Sequence, residues 1–128
     1  MKFSLSKAER LKSERIIGEL FKTGQVVKSY PVRALFIVSE SSSPEVKVAF
    51  SAPKRNFKKA VERNKCKRLL RESYRLNKHI LLSELSFKAI NVMFIYTSSE
   101  QLEFHDVEKV MQKLLHRLNE KLQSEAGQ

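Results

Sequence analysis

The sequence has one cysteine, no tryptophan, three glycines, three prolines and a single aspartate, Asp106, beside thirteen glutamates. Cys66 alone can make neither an intramolecular disulfide nor a Cys-rich zinc site. Its solitude points to a reducing compartment. A metal-dependent nuclease gathers two or three converging carboxylates, and no DxD or ExxxD-type cluster occurs here. The chain is therefore poorly equipped for phosphodiester chemistry on its own. The longest apolar run lies within Ala89–Tyr96 and is broken by Asn91, far short of the ~20 residues of a membrane span. Met1-Lys2-Phe3-Ser4 leads into charged Lys7–Arg15 with no apolar signal-peptide core. The expectation is a soluble, cytoplasmic protein.

What remains is basic and long enough to fold. The 128 residues make one domain, 1–128, with about 124–128 as a frayed tail. Apolar residues are 41% of the chain, too many for intrinsic disorder. Lys and Arg number 25 against 14 acids, a net charge of +11. Folding does not require that excess, and self-repulsion makes it a cost. It points to a polyanionic partner, nucleic acid before an anionic membrane surface.

Periodicity gives the elements. Ser4 or Ser6 caps a helix running to about Lys22, with Leu11, Ile16, Ile17, Leu20 and Phe21 on one face and Gly24 as its stop. Val26–Val38 reads as strand, broken or unbroken at Tyr30-Pro31. A polar loop, Ser39–Glu45, then joins it as a hairpin to Val46–Ser51. From Phe57 to Asn77 there is no Gly or Pro, and this is a long helix. Phe87–Tyr96 is a strand covered on both faces. A last helix covers about Glu103–Gln123. The fold class is α+β with a single sheet, in the order α-β-β-β-α-β-α, or with one strand fewer if Tyr30-Pro31 does not interrupt.

Charge concentrates in Pro53–Lys78, where eleven basic and two acidic residues carry a net +9 of the chain's +11. At about 100° per residue, Arg63, Lys67, Arg71, Arg75 and Lys78 share a broad face with Asn64 and Arg68. Cys66, Leu69, Leu70, Ser73 and Leu76 fall on the other. A solvated helix face mixes Glu with Lys; this one does not. The pattern favours a row of phosphate donors. The apolar side lacks Trp and Phe, which argues against lying on a membrane. His79, His105 and His116 lack ligand spacing, and no metal site is expected. Cys66 reads as a small core residue. Tyr74 either packs or contacts RNA.

The run Arg63-Asn64-Lys65-Cys66-Lys67-Arg68-Leu69-Leu70-Arg71-Glu72-Ser73-Tyr74-Arg75 resembles the RNR signature of the bacterial ribonuclease P protein component. Ala49–Arg55 and Lys59-Ala60-Val61 fit the strand and loop that lead into it. Arg10-Leu11-Lys12 and Leu20–Gly24 are similar to the family's first helix and its closing glycine. The sequence departs from the family pattern at Lys58, where Gly is frequent, and at Ile17, where an aromatic is.

The resemblance implies a mixed sheet with a left-handed βαβ crossover. It implies a subunit of ribonuclease P, whose partners are a catalytic RNA and precursor tRNA, with no protein partner. The RNA, with its Mg²⁺, would remove the 5′ leader, and this chain would hold no catalytic residue and no cofactor of its own. Carried over by position, Arg63, Asn64, Lys67, Arg68 and Arg71 would contact the catalytic RNA, with Lys54, Arg55, Lys58 and Lys59 as a flanking loop. Phe21 and Phe36 would stack leader bases, against ordinary core packing as the other reading. Lys22 and Arg33 would meet leader phosphates, against ordinary surface charge. Two further readings compete: a general or ribosomal RNA-binding protein with no role in cleavage, and a stand-alone metal nuclease, which the single Asp disfavours.

Overall fold

A computed structural model describes residues 9–40, 45–82 and 88–126. In chain order the elements are α1 (Glu14–Thr23), β1 (Gln25–Ser29), β2 (Val32–Glu40), β3 (Glu45–Ser51), α2 (Ala60–Asn77), α3 (His79–Leu82), β4 (Lys88–Tyr96) and α4 (Phe104–Ala126). The expected order holds, with α3 as one extra turn after α2. Tyr30-Pro31 does interrupt the first extended run: it is a two-residue turn, with a cis peptide, between Ser29 and its partner Val32.

The four strands form one mixed sheet in the order β1-β2-β4-β3. β1 and β4 pair antiparallel with β2, and β3 runs parallel to β4. The expected hairpin between Val32–Val38 and Val46–Ser51 is therefore incorrect. β4 lies between them, and Ser39 of β2 and Glu45 of β3 flank the same residue, Ala89. Two strand spacings, roughly 10 Å, separate the ends of that loop. β4 takes the central place because its side chains are apolar on both faces, with Val92 through Tyr96 all buried.

One face of the sheet packs under α2 and α4. Val32, Ala34 and Phe36 meet Ile90, Val92, Phe94 and Tyr96 there, beneath Cys66, Leu70 and Tyr74 of α2 and Met111, Leu114, Leu115 and Leu118 of α4. Phe50, Tyr74 and Phe94 form an aromatic knot with ring centroids 5.7–6.0 Å apart. The opposite face carries a smaller cluster of Leu35, Met93 and Ile95 with Leu11 and Leu20. Alternation along β2 sends Phe36 into the first of these and Leu35 into the second.

Three helix limits differ from the sequence reading. α1 begins at Glu14, capped by Ser13 Oγ, which accepts from Ile16 N at 3.3 Å. Ser4 and Ser6 lie outside the described residues. The preceding segment is extended because it extends the sheet: Leu11 N donates to Val48 O at 2.8 Å, and Arg10 bridges Val48 in parallel. α2 begins at Ala60, since Phe57 is buried against Tyr96. α4 continues to Ala126, so the supposed tail is helical up to that point. Gly24 closes α1 as expected, its N–H on Leu20 O at 3.0 Å. A Cβ there would sit 2.4 Å from that same oxygen, so the close approach demands glycine.

Candidate nucleic-acid interface

α2 is anchored by one side and offers the other. Cys66, Leu70, Ser73 and Tyr74 are buried, and burial pushes the Cys66 thiol up, leaving it a core residue and not a reactive one. On the outer side Val61, Asn64, Lys65, Lys67, Arg68 and Arg71 line a single concavity. Among the described residues, none of its four cations pairs with a carboxylate. Unneutralised like charges on one helix face repel, and a polyanion would relieve that.

The row is shorter than the sequence pattern implied. Arg75 donates through Nε and Nη2 to Glu72 Oε2, at 3.1 and 2.7 Å. Lys78 is buried, not outward, and its Nζ meets both Glu9 carboxylate oxygens at 2.9 and 3.2 Å. The helical wheel placed Lys78 on the basic face because it could not see an acid 69 residues away, and it counted Arg75 without the glutamate one turn before it.

Arg63 has work inside the protein. Its Nη1 donates to the carbonyls of Phe57 and Lys58 at 2.9 and 2.8 Å, tying the loop back onto the helix that follows. The same loop is fixed at its other end, where Asn56 Nδ2 donates to Tyr96 O at 3.2 Å. Lys54, Lys58 and Lys59 are exposed along it. Lys58, at the family's frequent glycine position, needs no positive φ, since no described residue has one.

A second concavity lies beside α2, over the α1 side of the sheet. Its floor on that side is Leu11, Ala49 and Met93, Ile17 of α1 forms a wall, and Val48 and Phe50 border it at the β3 edge. Arg10, Lys12 and Arg71 supply the charge. Arg71 thus borders both hollows. Apolar floor and cationic rim suit a single strand, whose bases stack and whose phosphates need counterions. Arg10 and Lys12 were missed as site residues. Their signal was two cations flanking Leu11 in a stretch taken for helix.

The expected stacking residues separate. Phe21 is 57% exposed and lies one turn beyond Ile17 on the same stripe of α1. Phe36 is fully buried on the other side of the sheet. No base can reach it, and its assignment to a leader platform is corrected here: it is core. Lys22 is exposed in the last turn of α1. Arg33 and Arg55 are brought together in a third hollow, with Lys28 and Tyr30; Lys54, Lys58 and Lys59 do not line it. His79, His105 and His116 are exposed and apart. Among the described residues no three His, Cys, Asp or Glu side chains could hold a metal ion, and no helix is long and apolar enough to cross a membrane.

Basic helix and basic-rimmed cleft, on one α+β frame, have the charge and shape that suit a nucleic acid. A family model for ribonuclease P matches residues 5–119. A ribonuclease P protein component from Porphyromonas gingivalis is 40% identical over 119 residues, covering 91% of this chain and 87% of that protein. The one from Chlorobium phaeobacteroides is 31% identical over 128 residues, covering 90% and 88%. The structure of the RNase P protein from Thermotoga maritima aligns with a TM-score of 0.65 at 27% identity, over 85% of this chain and 96% of that one. The chain belongs to the ribonuclease P protein component family.

Proposed function

We propose that this chain is the protein subunit of a ribonuclease P, acting as one RNA-binding domain that assists removal of the 5′ leader from precursor tRNA. The outer face of α2, with Asn64, Lys65, Lys67, Arg68 and Arg71, engages the catalytic RNA. The cleft between α1 and α2 holds the single-stranded leader. The carrying observation is Arg71, which borders both hollows and would join the two RNAs at one point. Phosphate neutralisation along this surface lowers the Mg²⁺ that crowded RNA needs. The chemistry and its Mg²⁺ belong to the RNA, and the chain contributes binding and orientation. Such a particle works in the cytoplasm.

The test is a reconstitution with a bacterial ribonuclease P RNA and a leader-bearing precursor tRNA, at Mg²⁺ low enough for the RNA alone to be slow. The expected result is a sharp rise in cleavage at the mature 5′ end, and a weaker rise with Arg71→Ala. Tight, salt-dependent RNA binding with no gain in cleavage would make the chain a general RNA-binding module instead.

A further inference from the structure

The hollow at the β1–β2 turn is unused by the reading above. It is lined by Lys28, Tyr30, Val32, Arg33, Arg55 and Thr97. Lys28 and Arg33 are direct partners across the antiparallel ladder, so two like charges stand side by side, an arrangement that destabilises a sheet. Arg33 Nε is buried and donates to no protein acceptor. Buried donors are nearly always satisfied. Tyr30 is the most exposed large aromatic described, at 75%.

This hollow is also stiff. Pro31 O accepts from both Thr97 N at 2.7 Å and Thr97 Oγ1 at 3.0 Å, fixing the turn that carries Tyr30. Asn56 hangs the loop carrying Arg55 from the neighbouring Tyr96 carbonyl. Both arms are therefore held on the end of β4 before any ligand arrives, which reduces the ordering cost of binding.

Its position relates it to the cleft. Lys28, Arg33 and Ile95 form one row across the α1 side of the sheet, and Val26, Leu35, Met93 and Ala49 form the next. The two rows are roughly 7 Å apart, and Met93 and Ala49 already floor the cleft. The hollow thus lies one row beyond the cleft floor, at the end of the same sheet face.

We propose that the β1–β2 turn is a further nucleotide subsite for the single-stranded leader, with Tyr30 as stacking platform and Lys28, Arg33 and Arg55 as phosphate contacts. It rests on the leader reading above. An anion between Lys28 and Arg33 removes their repulsion, and the bare aromatic beside it selects a nucleotide over a simple phosphate.

The test uses the reconstituted holoenzyme and precursor tRNAs whose leaders lengthen one nucleotide at a time. Wild-type affinity should rise in steps. Tyr30→Ala should lose the step made when the leader reaches the turn, a loss of about five- to tenfold, and Tyr30→Phe should keep it. Lys28→Ala and Arg55→Ala, on exposed side chains, should each lower the salt slope for long leaders by about 0.7. If long leaders gain affinity in the wild type and every variant keeps the full gain, the subsite is refuted and the leader cleft stands. If the wild type gains nothing from any leader, the leader reading itself fails. If Tyr30→Ala and Lys28→Ala weaken binding to the catalytic RNA without substrate, the nucleotide belongs to that RNA and the leader assignment is overturned.

Discussion

Arg63 separates charge from geometry. A lysine at this position keeps the positive charge and has donors enough, but its Nζ lies one bond nearer the backbone than Arg63 Nη1 and falls short of the two carbonyls. The wild-type Nη1 donates to Phe57 O and Lys58 O at 2.9 and 2.8 Å from a half-buried position. Hydrogen bonds from charged donors contribute about 1.5–3 kcal/mol each when well shielded. The bond to Lys58 O is exposed, and a lysine recovers part of the charge interaction. Arg63→Lys should therefore cost about 2 kcal/mol, a fall in melting temperature of roughly 6–12 °C for a chain this size. Urea unfolding followed by circular dichroism reads this directly. Arg68→Lys is the control: Arg68 is exposed on the outer face of α2, and its exchange should leave stability within about 0.5 kcal/mol. RNA affinity should fall in both, through the displaced loop in one and a lost fork in the other. Wild-type stability in Arg63→Lys, or equal destabilisation of Arg68→Lys, would refute the assignment of Arg63 to the loop.

Phe36→Ala should cost about 3–5 kcal/mol, because the ring is fully buried. Thermal unfolding measures this, and at a temperature where the variant is folded it should bind leader-bearing and mature tRNA in the wild-type ratio. Gly18 lies inside α1 with nothing within 4 Å of where a Cβ would stand. Gly18→Ala should stabilise the chain by about 0.5–1 kcal/mol, whereas Gly24→Ala should destabilise it, and a pair of melting curves distinguishes the two signs. Burial pushes the Tyr96 phenol up to about 12, and burial raises Tyr74 as well. The folded state thus prefers the protonated phenols, so their contribution is complete below pH ~10 and is lost as pH rises towards 12. Melting temperature against pH should fall less steeply above pH 10 in Tyr96→Phe, and an unchanged alkaline slope would remove Tyr96 from that account.

Much of this protein was settled by local pattern. Helical period placed the cores of α1, α2 and α4, because a buried stripe must recur every 3.6 residues whatever it packs against. The apolar stretch Ala89–Tyr96, broken at Asn91, marked a central strand, since a short run apolar at both alternating positions needs cover on both faces. The charge asymmetry of Pro53–Lys78 and the ordered motif around Arg63 point to RNA on their own. None of these depends on distant contacts.

Tertiary structure decided the rest, mostly through partners far away in sequence. Alternation in β2 and β3 said each was a strand but not that β4 would come between them, because side-chain period carries no information about the neighbour. It left the faces undetermined too, and so misplaced Phe36, while Leu35 one residue earlier lies on the cleft side. The helical wheel counted Lys78 as an outward cation, whereas Glu9 draws it into a buried pair. Arg10 and Lys12 entered the cleft only when their segment joined the edge of β3. Arg33, Lys28, Tyr30 and Arg55 became one hollow only through strand register and the two attachments at the end of β4. Burial and period are local properties of a chain. Pairing, facing and convergence of charge are properties of its path through space.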